Sequence, residues 1–254
     1  LADKVIDYMR LRRKEDWLIH AVFLRPHPPL IAPAPYDHLI DRDVVPKPVR
    51  RETREHEAAL HPYLREWLHE MSTPGYFDAP FDLHQLHEQE YQDMRAVYFG
   101  LIAEVDHQIG RIIDHLKATG EYDKTLIIFT SDHGEMLGDH GYFRKCEPYE
   151  GSGNIPFIVA SSPNLGLRRG AVSRQPVGLE DVMPTLLELA GAPRPPSVDG
   201  RSLVPVLRDP AAVVRDWLHY EHAPTYGAAQ AFHALTDGRR KFIWRPLDGR
   251  EQLR

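Results

Sequence analysis

Hydrophobic positions in the middle of the chain recur every three or four residues and then give way to an unbroken apolar run. The recurring pattern covers residues 86–117 and predicts a long helix with one apolar face. Gly120 predicts the end of that helix, because glycine readily adopts the left-handed conformation that closes helices. Residues 125–130, rich in β-branched and aromatic side chains, then predict a buried strand. A helix followed by such a strand is typical of an α/β domain.

The flanking segments extend this α/β pattern. The other predicted helices cover residues 1–15 and 180–190, and the other predicted buried strands cover residues 17–24 and 155–160. After the first of these strands, residues 25–36 are rich in proline and predict an extended surface loop. A polar excursion over residues 37–80 follows, and insertions of that length are usually functional or disordered.

The sequence pattern changes after Pro210, from helices and buried strands to short strands and turns. Three short strand-like runs separated by turns occupy residues 217–222, 231–235 and 241–244. We therefore predict an α/β domain over residues 1–209 and the start of a small antiparallel subdomain over residues 210–254. Because the chain begins without an initiator methionine or a signal-peptide pattern, we expect it to be an interior piece of a longer protein.

Composition narrows the class of protein. A hydrophobic fraction of 42% and a charged fraction of 27% are ordinary for a globular protein, and no apolar stretch approaches the roughly 20 residues of a membrane span. The net charge of -6 argues against a nucleic-acid partner. The single cysteine, Cys146, excludes an internal disulfide and leaves both cytoplasmic and periplasmic locations open. The oligomeric state stays unknown.

Asp132 and His133 directly follow the predicted strand at residues 125–130. In open α/β sheets, ligands bind beyond the carboxyl ends of the strands. A carboxylate oxygen and an imidazole nitrogen, side by side on a turn, can face one metal ion. The alternative is that Asp132 caps a turn and His133 is an ordinary loop residue. A second pair, Asp139 and His140, either belongs to the same site or marks another turn.

Three further residues are candidates for chemistry. Lys145 can supply a positive charge to a metal-bound anion, although most lysines are simply solvated. His27 lies between prolines, and a stiff backbone suits a general acid, although isolated loop histidines are more often bystanders. Nothing near Cys146 indicates a thiol of lowered pKa, so an inert thiol is the better interpretation.

Taken together, the motifs around Asp132 resemble the C-terminal signature region of the sulfatases and phosphonate monoester hydrolases of the alkaline phosphatase superfamily. The resemblance covers roughly residues 17–254 without residues 37–80. Its motifs are Ser131-Asp132-His133-Gly134-Glu135, Gly138-Asp139-His140-Gly141, Lys145, Tyr149-Glu150, residues 104–111, Asp181-Val182-Met183-Pro184-Thr185-Leu186-Leu187 and Asp199-Gly200-Arg201-Ser202-Leu203.

The resemblance implies an alkaline phosphatase-like α/β fold, with a mixed sheet sandwiched by helices. It implies that Asp132 and His133 are metal ligands, that Lys145 contacts the sulfate or phosphate oxygens, and that His27 lies near the leaving-group oxygen as a possible proton donor. Calcium is the expected ion, with manganese as the alternative that the Asp-His pair favours. The implied nucleophile is a metal-activated formylglycine, and the implied substrate is a small-molecule or carbohydrate sulfate ester.

One departure from the family pattern limits this interpretation. The family's nucleophile motif, Cys/Ser-x-Pro-x-Arg, does not occur in the sequence. A similar segment begins at Cys146, but it has Glu150 where the motif requires arginine. We therefore expect the nucleophile to lie upstream and this chain to be inactive alone. A sulfuric ester hydrolase is the first hypothesis. The alternatives are a phosphonate monoester or phosphodiester hydrolase of the same superfamily, and a non-catalytic relative that binds anions.

Overall fold

The computed structural model describes residues 1–71, 86–224 and 228–254, with the side chains of all of these except residues 69–71. The chain divides into two compact units. The first unit comprises Leu1–Lys124 with Leu137–Phe143, and the second comprises Thr125–Met136 with Arg144–Arg254. The boundary predicted at residue 210 stays a prediction.

The first unit is helical in its described part. Its helices are α1 (Ala2–Leu11), α2 (Arg54–Ala58), α3 (Pro62–Met71) and α4 (Glu88–Thr119), with short 3-10 turns at Arg42–Val44, Tyr122–Lys124 and Asp139–Gly141. Helix α1 packs on α4 with its apolar face, and Val5, Ile6 and Met9 are buried there. Each such side chain contributes about 1.5–3 kcal/mol when it is removed from water.

The long helix predicted over residues 86–117 is confirmed as α4. At its beginning, the His87 backbone N–H donates to the Glu90 carboxylate at 2.6 Å. At its end, Gly120 has a φ of 73°, as the left-handed closing conformation requires. The proline-rich loop packs on the middle of this helix, where the Tyr36 hydroxyl is hydrogen-bonded to His107 Nδ1 at 2.5 Å. A Cβ atom at Gly100 would collide with the carbonyl oxygen of Tyr36, so only glycine permits this approach.

The second unit contains two antiparallel sheets and short helices. Its elements are β1 (Ile127–Thr130), α5 (Glu150–Gly153), β2 (Phe157–Ala160), α6 (Val182–Leu189), α7 (Val204–Arg208), β3 (Leu218–His222), β4 (Phe232–Thr236), β5 (Lys241–Arg245) and β6 (Arg250–Leu253), with 3-10 turns at Pro163–Leu165, Leu179–Asp181 and Ala228–Gln230. Strand β1 pairs with β2, and Thr130 lies opposite Phe157. The other sheet is a meander in the order β3-β4-β5-β6.

The antiparallel character predicted for the C-terminal segment is confirmed, with β6 as an additional strand. The buried strand predicted at residues 17–24 is wrong: the structure assigns no strand there, and within the described residues none pairs with it. Leu18, Val22 and Leu24 are exposed. An apolar run becomes a strand only where a partner supplies ladder hydrogen bonds. In the described part of the chain, no helix has the length and apolar character that crossing a membrane requires.

Candidate metal and anion site

Asp132 and His133 lie on a turn immediately after β1, as the sequence predicts. Ser131 donates its hydroxyl to the His133 carbonyl at 2.6 Å, and Asp132 Oδ1 accepts the His133 backbone N–H at 3.0 Å. These two bonds curl the backbone so that the aspartate and histidine side chains stay on the same side. Asp132 Oδ2 then lies 3.7 Å from His133 Nε2. Two donors that share one divalent ion are roughly 3–4 Å apart, so this separation suits joint coordination.

The tautomer of His133 also suits a metal ion. Its Nδ1 lies 2.8 Å from the Gly134 carbonyl oxygen, which can only accept, so Nδ1 carries the proton. When the ring is neutral, the lone pair of Nε2 therefore lies on the side of Asp132. Metal-binding histidines commonly have their second nitrogen fixed by a carbonyl in this way. The Asp132 side chain is 84% exposed, so its carboxylate is accessible to an incoming ion.

Gly134 holds the turn against helix α5. Its N–H donates to the Ser152 carbonyl at 2.8 Å, and a Cβ atom at this position would collide with the carbonyl oxygen of Gly151. Only glycine permits this approach. The Asp-His-Gly sequence therefore joins two potential ligands to the residue that fixes their turn.

Lys145 returns to the same unit as Asp132 because a short loop closes on itself. The Met136 N–H donates to the Arg144 carbonyl at 2.8 Å, and the Arg144 N–H donates to the Glu135 carboxylate. The segments that follow His133 and precede Lys145 are therefore joined side by side. Lys145 is half-buried, which is consistent with a defined position rather than a fully solvated side chain.

The inner face of the C-terminal sheet supports the segment after Lys145. Lys241 on β5 and Tyr220 on β3 both donate to the Pro148 carbonyl, at 2.8 Å and 2.9 Å. Burial alone would lower the pKa of Lys241, but Tyr220 and Glu150 outweigh it, and the pKa lies above its ordinary value. Lys241 therefore remains charged in this buried position.

Cys146 behaves as the sequence indicates. Burial raises the pKa of its thiol, so the reactive thiolate is disfavoured at neutral pH. The similarity of its segment to a nucleophile motif is thus not supported by its environment.

The second pair, Asp139 and His140, lies in the first unit and makes the contacts of a structural turn. Asp139 Oδ1 accepts the Val49 N–H at 2.9 Å, and His140 Nδ1 lies 2.6 Å from the carboxylate of Glu57. Arg95 donates to the neighbouring Leu137 carbonyl at 2.8 Å. This turn therefore holds residues 49–57, and the contacts agree with the interpretation as another turn.

His27 is exposed in the first unit. Hydrogen bonds within residues 25–29 hold its loop in place. Arg25 donates to the Pro29 carbonyl at 2.6 Å, and His27 Nδ1 lies 2.7 Å from the Pro28 carbonyl. As for His133, the carbonyl fixes the proton on Nδ1. His27 Nε2 is therefore the nitrogen that can exchange a proton.

Part of the excursion at residues 37–80 contributes to the core of the first unit. Tyr63 and Trp67 of α3 are buried. Arg50 lies over the ring of Tyr91 at 4.0 Å, and Arg54 donates to the Leu68 carbonyl. Tyr76 and Phe77 lie outside the described residues.

Sequence reasoning missed the buried acid Glu57. Only 3% of Glu57 is exposed, and it accepts the Arg51 N–H at 2.8 Å besides its contact with His140. A possible signal was the Thr53 cap of α2, since Thr53 followed by helix formers indicates a helix in the excursion.

Comparison with known proteins identifies the family. The family model described as Sulfatase matches residues 1–192. The chain belongs to the sulfatase family. It is 38% identical to the multifunctional alkaline phosphatase superfamily protein PehA of Trinickia caryophylli over 86% of this chain and 43% of that protein. It is 31% identical to an arylsulfatase of Clostridium perfringens over 99% of this chain and 50% of that protein.

A solved structure supports the fold of this sulfatase-family chain. The phosphonate monoester hydrolase SpPMH from Silicibacter pomeroyi superposes with a TM-score of 0.85 at 37% identity, over 99% of this chain and 52% of that chain. The predicted alkaline phosphatase-like α/β fold is thereby confirmed. The chain spans about half the length of these relatives.

Proposed function

We propose that this chain is part of a sulfuric ester hydrolase that cleaves a sulfate monoester. Asp132 Oδ2 and His133 Nε2 would hold one divalent cation, calcium or alternatively manganese. The observation that carries the proposal is the 3.7 Å separation of these two atoms with the His133 proton held on the opposite nitrogen. The bound ion would polarise the ester oxygens and activate a formylglycine nucleophile supplied from outside these 254 residues.

Lys145 and His27 would stabilise charge and transfer a proton, respectively. Lys145 would place its ammonium group against an oxygen of the sulfate and stabilise the charge that develops there. In its imidazolium form His27 would donate the Nε2 proton to the departing alkoxide oxygen, because the Nδ1 proton is engaged by Pro28. The relatives named as an arylsulfatase and as a phosphonate monoester hydrolase support ester hydrolysis as the type of reaction.

The second candidate is hydrolysis of phosphonate monoesters or phosphodiesters. The Asp-His pair favours it, because imidazole suits manganese better than calcium. The experiment compares turnover of para-nitrophenyl sulfate with that of para-nitrophenyl phenylphosphonate, by this chain alone and by the full-length protein. Faster sulfate turnover by the full-length protein supports the first candidate, and faster phosphonate turnover supports the second. No turnover of either ester by the full-length protein contradicts both and leaves an anion-binding relative.

Glu135 is expected to position Lys145 through the Arg144 N–H. Replacing Glu135 by alanine should lower kcat about 10- to 100-fold, because a displacement of about 1 Å at a reacting group has effects of that size. Glutamine should restore most of the rate, since its carbonyl oxygen accepts the same N–H. Steady-state kinetics of the full-length protein with para-nitrophenyl sulfate measures both variants.

The matched control for Glu135 is Glu188→Ala, which removes an exposed carboxylate from α6 in the same unit. It should leave kcat unchanged. If Glu135→Ala changed only the stability of the fold, with kcat and KM of the folded protein unaltered, the positioning role would be wrong.

A further inference from the structure

Three potential ligands meet on the exposed face of the C-terminal sheet. His219 and Glu221 lie two residues apart on β3, so both side chains are on one face. His233 lies on β4 directly opposite Glu221. All three are substantially accessible, with 50%, 61% and 41% of the side chain exposed in chain order. The strand register, rather than a flexible loop, therefore brings them together.

The distances among the three donor atoms suit a tetrahedral ion. His233 Nδ1 lies 3.0 Å from Glu221 Oε2 and 3.1 Å from His219 Nε2, and His219 Nε2 lies 3.9 Å from Glu221 Oε2. Ligands about 2.1 Å from a tetrahedral zinc ion are about 3.4 Å apart. The observed triangle brackets that value, so small rotations of exposed side chains would bring all three atoms into coordination.

One proton links only two of the three donor atoms directly. The contact between His219 Nε2 and His233 Nδ1 has the geometry of a hydrogen bond in which one ring donates to the other. The Glu221 carboxylate oxygen lies 3.0 Å from the same His233 nitrogen. A cation would accept electron pairs from all three atoms together.

We propose that His219, Glu221 and His233 form a binding site for a divalent transition-metal ion of the zinc type. Two imidazoles and one carboxylate favour such an ion over calcium, which prefers a shell of oxygen ligands. The ion joins β3 to β4 on the exposed face of the sheet, and solvent completes its coordination. The site is separate from Asp132 and His133, which follow a strand of the other sheet.

Trp244 provides an internal reporter for this site. Its ring stacks on that of His233, with centroids 5.4 Å apart and planes inclined by 27°. A copper(II) ion bound to His233 is expected to quench the fluorescence of Trp244. The Trp244→Phe variant should lose that quenching while it retains the three ligands.

The test is a titration of the full chain with zinc alone, followed by calorimetry, and with copper(II), followed by tryptophan fluorescence. The double variant D132N/H133Q removes the proposed catalytic ligands and should keep one zinc equivalent. His219→Gln and His233→Gln should each weaken that equivalent by more than about 100-fold, since even partners of ligands affect affinity 10- to 100-fold. His38→Gln, an exposed histidine beside Asp37, is the matched control and should bind zinc as the parent does.

Glu221→Gln is the second variant, because an amide keeps the shape of the side chain while it weakens coordination. Cobalt(II) gives an independent readout, since a tetrahedral site produces strong visible absorption that the glutamine variants should lose. The proposal is overturned if D132N/H133Q binds no zinc, or if its zinc affinity is unchanged by His219→Gln, His233→Gln and Glu221→Gln. The three residues would then be a hydrogen-bonded cluster only.

Discussion

Replacing His133 by alanine is expected to abolish stoichiometric binding of the catalytic cation and to lower ester turnover by more than about 100-fold. In the proposed site the His133 imidazole would supply one of two donor atoms, and Asp132 alone would hold a divalent ion weakly. Asp132→Asn should have a similar effect, because an amide oxygen carries no charge. Calorimetric titration with calcium and manganese measures affinity, and hydrolysis of para-nitrophenyl sulfate by the full-length protein measures turnover.

The chain contains its own control for this experiment in the second Asp-His pair. His140→Gln changes a histidine that contacts Glu57 in the first unit. It is expected to lower the stability of that turn and to leave the affinity for the cation intact. Equal loss of cation binding in His133→Ala and His140→Gln would contradict the assignment of the site to Asp132 and His133. The comparison is carried out in the H219Q background, so that binding at the sheet does not obscure it.

The features of the fold and of the candidate site that the sequence predicts are those that depend on residues close together in the chain. The strand at β1, the turn with Asp132 and His133, and the end of α4 at Gly120 follow from local periodicity and from glycine's conformational range. Each needs no information about distant segments. The tautomer of His133 is different, because it depends on the backbone path to Gly134.

The failures concern features that depend on partners far away in sequence. Residues 17–24 have the composition of a strand, but within the described residues no strand pairs with them. The cluster of His219 with His233 arises from a strand register that composition does not reveal. The role of Glu57 likewise requires knowledge that His140 folds back onto it. Long-range pairing is therefore what the sequence alone does not provide.

Asp181→Ala is expected to lower the free energy of unfolding by about 3–5 kcal/mol, because it removes the hydrogen-bonded counterion of the buried Arg215 guanidinium and leaves it the more distant, partly exposed Glu180 carboxylate at 3.9 Å. Asp181 is fully buried and Arg215 nearly so. The two terminal guanidinium nitrogens of Arg215, Nη1 and Nη2, donate to the carboxylate, which also accepts the N–H groups of Gly178 at 2.9 Å and Arg201 at 2.8 Å. One side chain thus joins the two segments, residues 181–187 and 199–203, that carry family motifs.

The same contacts make this contribution dependent on pH. Burial disfavours the charged carboxylate, but the hydrogen bonds from Arg215, Gly178 and Arg201 outweigh burial and lower the pKa of Asp181. In the unfolded chain the pKa returns to an ordinary value of about 3.9. The stabilisation is therefore complete above that value and is lost as the pH falls through the lower pKa of the folded state. The Asp181→Ala variant should lack this part of the acid-induced loss of stability.

Denaturant unfolding at neutral pH and at a series of acidic pH values tests both expectations. The control is Asp7→Ala, which breaks an exposed pair with Arg10 and should change stability little. The double variant Asp181→Leu with Arg215→Met should recover much of the loss, since it removes the unpaired charge and restores apolar packing. If Asp181→Ala were no more destabilising than Asp7→Ala, the buried pair would not be what joins these two segments, and the apolar contacts of α6 and α7 would have to do so.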